Sequence, residues 1–285
     1  GEGERRRGVV TVRAAAPPPA RRWPMPAARP LLGVRVLDLT RVIAGPVATR
    51  FLASLGAEVL RIDPPGWHEP TLDEEITCGK RRAVVDFKTA AGRETLRELL
   101  EQADLLVHGY RADALEQLGF DAETRATLSP GLVDIGLNAW GWRGPWRNRR
   151  GFDSLVQMAC GIADSGMRWS GRETPTPLPV QALDHATGYL MAAAALEGLR
   201  QRRASGYGVQ ARLSLARTAL LLQQHPSREK SPSAGILAHQ HDTLPMVELT
   251  PWGVGERLRA AARLPGTPQL CATPGCAPGR HPARW

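Results

Sequence analysis

The sequence predicts an α/β domain of the doubly wound kind, with a mostly parallel sheet and flanking helices. Three observations predict it. Short apolar runs of strand length alternate with segments of helical period. Strand, helix and strand succeed one another within about 30 residues, the length of one βαβ unit with its right-handed crossover. The strand runs are continuously apolar, as strands covered on both faces are.

Order begins at Gly33. Val34–Leu39 is the first strand, and a loop containing Ala44, Gly45 and Pro46 leads into a helix over "VATRFLASLG", with Pro46 suited to its first turn. Gly56 stops that helix, and Ala57–Asp63 is the next strand. Arg82–Phe87 reads as a third strand. Thr89–Gln102 is an amphipathic helix with Leu96, Leu99 and Leu100 on one face. "ADLLVHGY" is a fourth strand, followed by a short helix around "DALEQLG"; Gly131–Gly141 is a further strand that runs into a Trp-rich loop. One helix is expected over Ser154–Gly166, with Asp153 as its N-cap. An extended "TPLPVQAL" precedes a long helix from about Asp184 to Arg203, and "GVQARLSL" is the last strand. Val34–Leu39, Glu58–Ile62 and Leu105–Val107 are expected to lie side by side in the sheet.

This places one domain at residues 33–222. Residues 1–32 read as a disordered Pro/Arg-rich tail, and residues 223–285 as an irregular C-terminal extension without periodicity.

Composition narrows the class. Of 285 residues, 42% are apolar and 23% charged, which excludes full disorder, collagen and a disulfide scaffold. The net charge of +9 raises the question of nucleic acid. Yet residues 1–30 hold seven Arg against two Glu, residues 255–285 five Arg against one Glu, and the 224 residues between carry 25 basic and 25 acidic side chains. A nucleic-acid domain carries its basic stripe on the folded body, so at most nonspecific polyanion contact by the tails is expected. Cys78, Cys160, Cys271 and Cys276 form no framework, and no secretory segment is evident; a reducing, cytoplasmic compartment is expected. No apolar run approaches the ~20 residues of a membrane span. The first residue is not Met, which suggests a fragment or a mis-assigned start.

Several motifs fail. "GYGVQA" (Gly206–Ala211) resembles a dinucleotide fingerprint but follows a helix and opens a strand, the reverse of what that fingerprint needs; it reads as a helix C-cap and turn. His239 and His241, or Cys271, Cys276 and His281, lack metal-ligand spacing, and no metal is expected. No phosphate loop and no nucleophile elbow occurs.

A constellation of six segments remains: "VLDLTRVIAGP" (Val36–Pro46), "GKRRAVVDFKT" (Gly79–Thr89), "VHGYRADALEQLG", "GLNAWGWRGPW", "RRGFDSLVQMACG" and "PVQALDHATG". Four sit at carboxyl ends of predicted parallel strands, where open α/β sheets bind ligands. In this order the set, from about Leu32 to Leu222, resembles the family III CoA-transferases. The resemblance implies a Rossmann-like fold, coenzyme A as the acyl carrier, and interlocked dimers or pairing with a second transferase half. It matches Asp184 to the family's nucleophilic aspartate. It matches Ile43 and Ala44 to the first CoA loop, and Val85, Asp86, Phe87 and Lys88 to the segment flanking the CoA nucleotide. Gly109, Tyr110 and Arg111 match an aromatic turn, and Asn138, Ala139 and Trp140 a later CoA-lining loop. The chain departs from the family at Ile43, where a polar residue is usual, and at Gly109, where Asn is common. The family's small second domain and its glycine-rich loop have no counterpart after the last strand.

The chemistry suits an aspartate. A carboxylate can attack a thioester to give a mixed anhydride, which the released thiolate reopens as an aspartyl thioester. A helix N-terminus offers unpaired N–H groups and a positive dipole end to such a group. The competing reading of Asp184 is a plain N-cap, worth ~1 kcal/mol. His185 turns about 100° away on the helix. Lys88 and Arg111 are candidates for CoA phosphates. A related racemase would need two titratable groups, and Phe152 stands where the racemases carry His, so transfer is preferred to racemisation. A catalytically inactive CoA-binding or partner subunit is the third reading.

Overall fold

A computed structural model describes residues 11–14, 23–111, 113–178, 180–225 and 242–285. His239 and His241 lie outside the described residues. Strands β1 (Thr11–Ala14), β2 (Arg35–Leu39), β3 (Glu58–Asp63), β4 (Lys80–Val84), β5 (Leu105–His108), β6 (Val133–Asn138) and β7 (Val209–Ser214) form one sheet in the order β1-β7-β6-β5-β2-β3-β4. All pairs are parallel except β1 on β7. The six parallel strands therefore have the doubly wound order, with the chain reversing direction across the sheet between β2 and β5. The three strands expected as neighbours are β3, β2 and β5, and β2 pairs with both others.

Helices α1 (Ala44–Ser54) and α8 (Ala182–Ser205) cover one face. Their apolar side chains, among them Leu52, Met191, Ala195 and Leu199, close on Val36, Val107, Val133 and Ile135. Gly188 lets α8 meet α1 closely, because a Cβ there would stand 2.6 Å from the Ala44 carbonyl oxygen. Helix α3 (Ala90–Gln102) and the short α4 (Ala114–Gln117) and α5 (Ala122–Leu128) cover the other face, with the predicted Leu96, Leu99 and Leu100 buried against Leu37, Leu60 and Leu106. Helix α2 (Asp73–Ile76) sits between β3 and β4, and α9 (Leu215–Gln224) follows β7. The end of α8 is a left-handed Gly206, the expected cap rather than a cofactor loop.

Three boundaries differ from the sequence reading. β4 starts at Lys80 and ends at Val84, so Val85–Lys88 is loop: Lys80 is drawn into the sheet by a buried carboxylate, and the Asp86 side chain turns the chain by accepting the Lys88 N–H. The single helix expected over Ser154–Gly166 is two, α6 (Asp153–Ala159) and α7 (Ile162–Ser170), because Gly161 takes φ +83°, which breaks the α-helical path. Helix α8 begins at Ala182, so Asp184 lies inside its first turn rather than at the cap.

The chain ends also differ. Thr11–Ala14 extends the sheet, and Leu31 is buried with Trp23 packed nearby. After α9, β8 (Thr243–Thr250) and β9 (Gly253–Leu258) form a hairpin. The residues beyond it run along β4, the edge strand: Gly79 N–H donates to Thr273, His281 and Arg82 bond to each other, and the Trp285 indole N–H reaches the Leu99 carbonyl. An uncovered edge strand offers unpaired N–H and C=O groups. Here a segment with no periodic pattern of its own satisfies them, which is why periodicity did not reveal it.

Candidate active site

The carboxyl ends of β2, β5 and β6 open into a cleft of about 500 Å³ at the point where the strand order reverses. Of the residues matched to CoA contacts, Gly109, Tyr110, Arg111, Asn138 and Ala139 line it. Trp140 is outside the lining, its ring edge-on to Trp146 at 4.9 Å and its N–H donated to the Arg150 carbonyl. Ile43 caps α1 by accepting the Val47 N–H, and Ala44 is buried beneath the loop. Val85 and Phe87 pack on the α3 face, Asp86 closes its own turn, and Lys88 is exposed. These four sit outside the cleft lining.

The lining also holds residues that sequence reasoning did not single out: Arg41, Trp67, Arg149 and Arg150. The Arg41 guanidinium lies 4.6 Å from the Trp67 ring and 5.5 Å from the Tyr110 ring. Burial pushes the Tyr110 phenol up, and Arg41 only partly offsets this. Four arginines and aromatic walls suit a ligand with phosphates and a flat ring.

A buried ionic framework supports the rim. Lys80 Nζ donates to Asp38 at 3.0 Å, to Thr49 Oγ1 at 2.6 Å and to the Pro46 carbonyl at 3.1 Å, which ties β4 to β2 and α1. Burial pushes Lys80 down to about 8. Burial would raise Asp38, but Lys80, Arg61 and the hydroxyls of Thr40 and Thr49 outweigh it and hold it below the carboxylate range. Beside it Arg61 and Arg82 share Asp63, Arg61 reaches Glu69, and Arg82 pairs with Asp73 at 2.9 Å. "VLDL" carried a hint, since an Asp in an apolar strand needs a buried partner. Which cation meets it depends on the tertiary fold.

Asp184 is 6% exposed, and its N–H donates to Asp153 Oδ2 at 2.9 Å. Asp153 is therefore not the cap of its own helix; that position is Phe152. Its carboxylate instead reaches the start of α8, and its other oxygen accepts from Gln157. Gln157 Oε1 in turn accepts the Leu178 N–H and steadies the segment entering α8. Burial first, and then the neighbouring Asp153, push Asp184 up to about 7. His185, the next residue, is exposed. Neither Asp184 nor Asp153 is among the residues lining the cleft; Phe152, which does line it, is the residue before Asp153 in the chain. Among the described residues no set of three His, Cys, Asp or Glu side chains could hold a metal ion, and no helix is long and apolar enough to cross a membrane.

Open sheets of this order take ligands in the crevice at the reversal, so fold and cleft together define a Rossmann-like ligand-binding domain. The sequence profile described as CoA-transferase family III matches residues 31–250, and the chain belongs to that family. It is similar to acetyl-coenzyme A transferase nodX of Hypoxylon pulicicidum, at 34% identity over 62% of this chain and 31% of that one. It is similar to succinyl-CoA:glutarate CoA-transferase of Mus musculus, at 33% identity over 64% and 44%. Among solved structures it resembles Rv3272 of Mycobacterium tuberculosis, with TM-score 0.62 and 29% identity over 69% of this chain and 58% of that one. The chain thus spans about a third to about half of the length of these curated relatives.

Proposed function

We propose that this chain moves CoA between an acyl-CoA and a free carboxylic acid, with Asp184 as the covalent group. The observation that carries the reading is the buried Asp184–Asp153 pair, in a domain whose sheet-reversal cleft is cationic and aromatic. The Asp184 carboxylate attacks the thioester carbonyl, forming the mixed anhydride and expelling CoA thiolate. The thiolate then attacks the aspartyl carbonyl, giving the aspartyl thioester and releasing the first acid. The acceptor carboxylate attacks that thioester, and the thiolate finally opens the second anhydride, which regenerates Asp184. Arg41, Arg111, Arg149 and Arg150 are suited to hold phosphates during these exchanges. The names of the relatives, which are transferases of acetyl-CoA and succinyl-CoA, support transfer over racemisation.

Two further parts belong to the reading. The compartment is reducing and cytoplasmic, in keeping with four free cysteines. The working unit is a homodimer or a pair with a second transferase half, in keeping with the exposed Phe152, Leu155 and Met158 at α6 and Trp169 on α7. The test incubates the protein with an acyl-CoA and an unlabelled acid in deuterated water. Appearance of the new acyl-CoA without α-deuteration is expected; α-deuteration without transfer would overturn the reading.

A further inference from the structure

The loop joining β2 to α1 carries an unusual backbone. Val42 has φ +67°, in the left-handed region that a β-branched side chain rarely adopts. Its neighbour Arg41 is the residue whose guanidinium lies near Trp67 and Tyr110 in the cleft. Strained backbone persists where surrounding contacts over-determine it. One side chain does so here. Glu69 Oε1 accepts the Val42 N–H, while Glu69 Oε2 accepts from Arg61. Glu69 is 8% exposed, and its own N–H lies 3.4 Å from Asp73 Oδ2. Arg61 is in turn fixed by Asp63, so the clamp rests on the sheet itself. Trp67 and Glu69 belong to the same β3–α2 loop, which therefore grips the β2–α1 loop twice: ring against Arg41, and carboxylate against the Val42 amide.

We propose that Glu69 is the positioning residue of this cleft, holding Val42 in its left-handed turn so that Arg41 is presented between Trp67 and Tyr110 to the anionic ligand. Glu69 itself is outside the cleft lining and acts through Val42 and Arg41. The ligand half of this statement rests on the CoA reading above; the backbone half does not.

The experiment is a cycle of Glu69→Ala and Val42→Gly, with Glu69→Gln as the conservative variant. A glycine takes a positive φ without help, so Glu69 loses its task when residue 42 is glycine. Two readouts are taken. The first is the amide proton of Val42 in valine-labelled protein, identified by its loss in Val42→Gly. A charge-assisted hydrogen bond places it far downfield; Glu69→Ala is expected to bring it back to the ordinary amide range, and Glu69→Gln to leave it between. The second is calorimetric titration with CoA. Loss of a charged acceptor is expected to weaken CoA about tenfold in Glu69→Ala. The same substitution made in Val42→Gly is expected to weaken it less than about threefold further. A tenfold loss that persists in the Val42→Gly background overturns the proposal, because Glu69 then acts through Arg61 and the fold. An amide that stays in place in both Glu69 variants overturns it as well, even if one variant is poorly folded. A wild-type protein that takes up no CoA while the amide moves as expected overturns the CoA reading and upholds the positioning of Val42.

Discussion

The N–H of Asp184 donates to the carboxylate of Asp153 across 2.9 Å, so one buried acid caps the helix turn that carries another. The two residues lie 31 positions apart, on α8 and α6. The bond orients Asp184 and the charge opposes its ionisation. That tension sets the behaviour expected of the site with pH.

Asp184 has an ordinary value of 3.8 and is pushed up to about 7 in the fold. Between these pH values the folded state holds a proton that the unfolded chain has lost, so stability falls as pH rises through the window. Asp184→Asn removes the ionisable group. It is expected to raise the melting temperature at pH 8 and to leave it nearly unchanged at pH 4, by calorimetric scans at both.

On the proposed function, the same shift governs chemistry. Only the ionised carboxylate is a nucleophile, so covalent capture of an acyl group is expected to rise with pH through about 7. Asp153→Asn keeps an acceptor for the Asp184 N–H but removes the like charge. The inflection is expected to move to lower pH and to remain above the ordinary carboxylate range, because burial is the larger cause. A pH series of single-turnover capture reads both.

Lys80→Met leaves Asp38 buried with two hydroxyl partners and no adjacent ammonium. Breaking one partner of a buried ion pair costs about 3–5 kcal/mol. The double variant Lys80→Met with Asp38→Leu is expected to regain much of that loss. Urea unfolding of the two variants makes the comparison.

Trp285 and Trp169 test the role of the chain end. Trp285 packs against the α3 face and donates to Leu99, whereas Trp169 is 74% exposed. Trp285→Ala is expected to cost about 1–3 kcal/mol from lost burial, and Trp169→Ala less than about 0.5 kcal/mol. Equal effects on thermal unfolding would contradict the packing of the end along β4.

Legibility in the sequence followed the range of the interactions. β2, β3 and β5 were readable because their signal is local: an apolar run between helical periods. The cap at Gly206 was readable from its place between a helix and a strand. The break at Gly161 was not, since glycine within an otherwise amphipathic run gives no sign of its backbone angle. Asp184 was legible as an acid at or near the start of the long helix, but its partner Asp153 was read as a local cap, because the preference of Asp for helix starts does not say which helix it will serve. Arg41, Trp67 and Glu69 escaped notice for the same reason. Their meaning lies in contacts between two loops, and nothing in either loop alone announces them.

The most direct measurement is a trap of the covalent state. Protein mixed with an acyl-CoA is quenched with hydroxylamine, and its peptides are mapped by mass spectrometry. A hydroxamate at Asp184, absent in Asp184→Ala and retained in Asp153→Asn, is expected. CoA transfer that proceeds with Asp184 unmodified, or that survives Asp184→Ala, would contradict the assignment of this aspartate as the nucleophile.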